Sequence, residues 1–114
     1  MYLSVVRIYP PRGREQAVID VLDSLKGSLA NNVDCLGYLV TLEPRDGGAV
    51  CYVEQWRTRN ALDQHLCSHL FGRVLEAIEC SHQPPEVVFY KVADVGGLDL
   101  VEQVRTNHQS KLQL

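Results

Sequence analysis

The sequence predicts an α+β fold, a four-stranded antiparallel sheet with helices on one face. Three observations lead there. Four short runs rich in β-branched and aromatic residues are separated by turn chemistry or by helical periodicity. The second and third runs flank Pro44-Arg45-Asp46-Gly47-Gly48, which marks an antiparallel hairpin. The resulting order, βα-ββ-αβ, is the ferredoxin-like split βαβ arrangement.

Residues 2–9, YLSVVRIY, form the first strand and stop at Pro10-Pro11. Residues 14–30 follow as one helix, because Val18, Val21, Leu22, Leu25 and Leu29 share a face. Residues 34–43, DCLGYLVTLE, make the second strand and residues 49–56, AVCYVEQW, the third. Thr58 and Asn60 are both suitable N-caps for the next helix, Asn60 having Asp63 three residues on. Leu62, Leu66 and His69 share one face of that helix, with His65 at its edge. Ser68 is placed to cap a second helical segment that carries Phe71, Val74, Leu75 and Ile78. Gln83-Pro84-Pro85 ends it, and residues 86–92, EVVFYKV, are the fourth strand. Beyond Gly96-Gly97, residues 98–108 put Leu100, Val101 and Val104 on one side of a short helix, set to dock on the domain or on a partner. The last six residues, QSKLQL, are expected to fray. The chain thus divides into a domain over 1–93 and a tail over 94–114.

Composition narrows the function classes. A chain of 114 residues holds one domain, and 46% apolar with 22% charged residues suits a globular one. The net charge is −3 and no stretch concentrates Lys and Arg, so no nucleic-acid partner is expected. No apolar run approaches the ~18 residues of a membrane span. The opening MYLSVVRIYPP lacks the charged and cleavable regions of a secretory leader. Cys35, Cys51, Cys67 and Cys80 contain no CxxC pair and read as reduced thiols, so a cytoplasmic location is expected.

The strands do not alternate cleanly. Leu3 and Val5 oppose Val6 and Ile8, and Val87 and Phe89 oppose Val88, Tyr90 and Val92. Both faces of the sheet are therefore apolar, yet the helices cover one. A second copy packed sheet to sheet solves this, so a homodimer is expected. The competing solution folds residues 98–108 back over the open face, but that segment is short for four strands.

Chemistry concentrates at the third strand and the helix after it. Alternation puts Tyr52, Glu54 and Trp56 on one face, assigned to the helix side, and Cys51, Val53 and Gln55 on the other. A carboxylate between two aromatic rings is costly to bury unless paired. His65 is the nearest helical partner; the pair would orient the imidazole and leave its other nitrogen as a base. Arg7 and Arg73 are the alternative partners, and would give Glu54 a purely structural role. His65 and His69 also have the i, i+4 spacing of helical metal ligands, with Cys67 between them and Cys80-x-His82 downstream. That metal reading lacks a fixed acidic ligand. Tyr38 and Tyr90 are further hydrogen-bonding candidates.

Several of these pieces together resemble the antibiotic biosynthesis monooxygenase (ABM) family, whose members form dimeric α+β barrels. They are the first strand with Gly13-Arg14-Glu15 after it, the stretch Asp34-Cys35-Leu36-Gly37-Tyr38, and Glu54-x-Trp56 followed by Leu62, His65-Leu66, Ser68 and Phe71. The resemblance runs over residues 3–92. It implies oxidation of a small aromatic or quinol substrate by O2 without metal or flavin cofactor. Such chemistry needs a water-poor pocket, a donor for the developing oxyanion and a route for the proton. The resemblance makes Trp56 and Tyr52 ligand-binding candidates, joined by Tyr38 as a hydroxyl donor, and the Glu54–His65 pair supplies the catalytic candidates. Polyketide-oxidising members carry Asn four residues before the strand-end Trp; this chain has Tyr52. Haem-degrading members carry Trp nine residues and a ligating His nineteen residues after it; here stand His65 and Leu75, so haem oxygenation of that type is not expected. The same scaffold also fits a non-catalytic small-molecule-binding homodimer.

Overall fold

The computed structural model describes residues 1–44 and 47–112; Arg45 and Asp46 of the expected turn lie outside the described residues. The elements are β1 (Tyr2–Ile8), α1 (Glu15–Asp23), α2 (Lys26–Ala30), β2 (Cys35–Glu43), β3 (Ala49–Trp56), α3 (Arg59–Leu66), α4 (His69–Glu79), β4 (Glu86–Lys91) and α5 (Leu98–Leu112). The strands form one antiparallel sheet in the order β2-β3-β1-β4. This is the predicted ferredoxin-like arrangement. Gly47 and Gly48 leave the hairpin with φ of 74° and 80°, a region that disfavours other side chains.

The sheet's inner face meets α1 to α4. Val6, Ile8, Val50, Tyr52 and Trp56 pack there against Val18, Leu22, Phe71 and Val74. The predicted single helix over 14–30 is in fact two. Ser24 donates its hydroxyl to the Val21 carbonyl, and the Leu25 N–H bonds Leu22 three residues back. This tightens the backbone at Ser24-Leu25, and Gly27 adds little propensity to hold a longer helix. Leu25 and Leu29 still reach the core. Thr58, rather than Asn60, caps α3, its hydroxyl accepting from the Ala61 N–H at 3.1 Å. Ser68 caps α4 by accepting from Phe71 N–H at 3.3 Å.

The outer face is apolar and open. Leu39 is 57% exposed, and Val88 and Tyr90 of the edge strand β4 are also exposed. Arg7 alone gives this face an anchored charge, donating to Glu43 at 3.0 Å and lying 3.7 Å from Glu86. Exposed pairs of this kind contribute at most about 1 kcal/mol.

The C-terminal segment differs from expectation in two ways. The helix continues to Leu112 instead of fraying after residue 108. It also does not fold back: Leu98, Leu100, Val101 and Val104 remain at least half exposed, as does Tyr90. The radius of gyration is 17.8 Å and the long axis 58 Å. A compact chain of this length would have a radius near ~13 Å, so α5 stands off the domain as an arm.

Candidate functional site

Antiparallel register fixes the site. Glu54 lies between Ser4 of β1 and Tyr38 of β2, with Tyr52 and Trp56 two residues to either side on the same face. All three of Tyr52, Glu54 and Trp56 are 0% exposed. The Thr58 cap starts α3 just past the end of β3, and Ala61, Leu62 and His65 form its buried face. That spacing drops the His65 ring onto the inner face of β3.

The four side chains make one network. His65 Nε2 lies 2.9 Å from Glu54 Oε2. The Trp56 indole Nε1–H donates to Glu54 Oε1 at 3.1 Å, and the Tyr52 hydroxyl donates to Oε2. Trp56 and His65 stack with ring centroids 4.5 Å apart and planes at 29°. Phe71 meets the other side of His65 edge-on at 5.5 Å. Burial, and then the adjacent Glu54 carboxylate, push the Tyr52 phenol far above its ordinary range, so it remains a donor.

Three donors around one buried carboxylate satisfy it as an anion. In the tautomer that donates from Nε2 to the carboxylate, Nδ1 carries the free lone pair of the imidazole. Nδ1 has no hydrogen-bond partner among the described residues, and it is not sealed from solvent either. His65 borders a cavity of about 220 Å3 that is also lined by Asn32, Asp34, Gln64, Ser68 and Leu70. The arrangement is that of an oriented base: carboxylate, imidazole, then open space.

The expected residues fall into two groups. Glu54, His65, Tyr52 and Trp56 come together. Tyr38 is half-buried beside Glu54 in register but gives no hydrogen bond to the carboxylate. Neither alternative cation reaches Glu54: Arg7 binds Glu43, and Arg73 donates to Ser24 Oγ at 3.0 Å. His69 and Cys80 are exposed at opposite ends of α4, and Cys67 is exposed between the helices. Among the described residues, no group of three or more His, Cys, Asp or Glu side chains converges as a metal site. Burial raises the thiols of Cys35 and Cys51, which keeps both protonated.

Neither Trp56 nor Tyr52 lines any of the five clefts found among the described residues. Besides the cavity at His65, clefts of about 960, 530, 260 and 250 Å3 mark the surface, the third of them lying between β4 and α3. None of these five is lined by Tyr52, Glu54 or Trp56. The two aromatic residues act instead as donors that lock the carboxylate.

Sequence reasoning missed Ser4. It is 1% exposed, pairs with Glu54 on one side and Phe89 on the other, and its hydroxyl has no partner. The signal was present: Ser4 is in phase with Val6 and Ile8, so a hydroxyl occupies a core position. Asn32 and Gln64 were also missed, because the loop before β2 approaches α3 only in three dimensions.

Comparison with known proteins agrees with this architecture. The family model "Antibiotic biosynthesis monooxygenase" matches residues 1–77. No curated protein matches the chain. Rv0793 from Mycobacterium tuberculosis superposes with a TM-score of 0.72 at 24% identity, covering 84% of this chain and 98% of its own. A conserved protein from Methanosarcina mazei Go1 gives 0.68 at 22%, covering 80% and 92%. A structure described as an antibiotic biosynthesis monooxygenase gives 0.68 at 22%, covering 82% and 100%. At these identities the likeness is one of fold.

Proposed function

Given that this chain belongs to the antibiotic biosynthesis monooxygenase family, we propose that it is a cofactor-independent oxygenase acting on a small hydroquinone-type aromatic. One observation carries the reading: His65 is bound to buried Glu54 through Nε2, and His65 is among the residues that line a cavity of about 220 Å3. A substrate hydroxyl at that cavity gives its proton to Nδ1. Glu54 stabilises the imidazolium, and Tyr52 and Trp56 hold Glu54 in place. The phenolate is electron-rich enough to pass an electron to O2. In balance, one hydroquinone and one O2 give one hydroxyquinone and one water. One oxygen atom enters the ring, the other takes two hydrogens, and the ring supplies all four electrons. The proton held by His65 returns to the departing oxygen, so the base is regenerated. The cavity lies below the ~300 Å3 lower end for drug-sized ligands and suits a single ring.

The protein acts as a homodimer paired through the open sheet faces. Exposure of Leu39, Val88 and Tyr90 supports this pairing. Among the described residues, no helix is long and apolar enough to cross a membrane.

Oxygen uptake with a panel of substituted hydroquinones in metal-free buffer tests the activity. His65→Ala is expected to lose roughly 10²–10⁴ of the rate; full retention removes His65 from the mechanism. A second reading is a non-catalytic binding dimer; none of the five clefts among the described residues is lined by Trp56 or Tyr52. Heat of binding without oxygen uptake selects that reading.

A further inference from the structure

The open sheet face offers Leu39, Val88 and Tyr90 exposed, with Leu3, Val5 and Val53 half-buried. Stable interfaces engage roughly 20–30 residues a side and bury about 800 Å2 per partner. The chain carries a second exposed apolar surface in α5.

Three features of α5 identify its partner. It is a 15-residue helix with no face buried on its own domain. Helices of about 12–15 residues are marginal in water without tertiary packing, so this one requires a surface to lie on. Four of its large apolar residues, Leu98, Leu100, Val101 and Val104, fall in the first two turns, and Leu112 ends the helix. The following stretch, RTNHQS, is polar. The contact therefore lies at the base of the arm. That base follows β4 after a short connection, and β4 is an edge strand exposed along its whole length, with Val88 and Tyr90 in the open face. Whatever covers the open face stands beside the base of the arm.

We infer that α5 is a clasp: its first two turns pack on the second copy of this chain that covers the open sheet face, near that copy's sheet edge. The two-fold relation makes the contact reciprocal, so each subunit grips the other. The polar distal turns project beyond the contact into solvent. The superposed structures cover at least 92% of themselves but at most 84% of this chain, so part of this chain lies outside the shared fold. The inference rests on the homodimer proposed above.

Sedimentation equilibrium on the full chain across a dilution series tests it. Val101→Asp with Val104→Asp is expected to weaken dimerisation at least tenfold while leaving the unfolding midpoint of the dissociated subunit unchanged. Backbone amide exchange gives the second readout: residues 98–104 gain protection with protein concentration and residues 105–110 do not. A wild-type dimer whose affinity survives both substitutions overturns the clasp alone. A wild-type protein that is monomeric at all concentrations overturns the dimer and the clasp together. Protection of 98–104 that is independent of concentration places the arm on its own domain and also overturns the clasp.

Discussion

The two faces of the sheet invert the usual rule for polarity. The inner face of β3 holds a carboxylate, a phenol and an indole N–H at 0% exposure, while on the outer face Leu39 is 57% exposed. Around Glu54 the buried polar groups have complete donors and acceptors, and Ser4, with its unpartnered hydroxyl, is the exception on this face. Apolar groups are exposed where no helix of this chain covers the sheet. Burial thus follows from neighbours rather than from side-chain class.

Substitutions sharpen that contrast, and the inner face gives the largest effect. Glu54→Ala leaves three buried donors without an acceptor and is expected to cost about 3–5 kcal/mol, measured as a fall in the urea midpoint. If the loss is under about 1 kcal/mol, the network contributes little to the fold. On the outer face, Leu39→Asp places a charge on the exposed surface and leaves the monomer's stability nearly intact. It is expected to weaken self-association by about tenfold or more, roughly 1.4 kcal/mol, read by light scattering at several concentrations. Ser4→Ala has the opposite sign. Removing a buried hydroxyl without a partner is expected to stabilise the domain by about 1 kcal/mol, seen as a higher melting temperature. His69→Ala touches an exposed residue at the start of α4 and should move stability by no more than about 0.5 kcal/mol. A larger shift would give His69 a structural role.

Much of this was legible because it is local. The β2–β3 hairpin follows from glycines between alternating strands. The Glu54–His65 pair follows from period 2 along β3 combined with the turn-capped start of α3. The break at Ser24-Leu25 was not legible, since the apolar positions of 14–30 stay in phase across it. The cavity at His65 was not legible either. Asn32 and Gln64 are brought together by the approach of the loop before β2 to α3, and no spacing in the chain encodes that. Ser4 was readable from its phase but was passed over among apolar neighbours. For α5, the tail's weak apolar stripe indicated a helix but not its length or direction. Those depend on Gly96-Gly97, where an added Cβ at Gly96 would meet Leu100 at 2.6 Å.

The chain's only tryptophan stacks on its one buried imidazole. A protonated imidazole over an indole face is a cation–π contact, and a neutral one is not. Fluorescence of Trp56 therefore reports the charge on His65 directly, with no label and no competing indole. Under the proposed mechanism, a stopped-flow trace of that emission would follow the proton as it reaches the ring and leaves again.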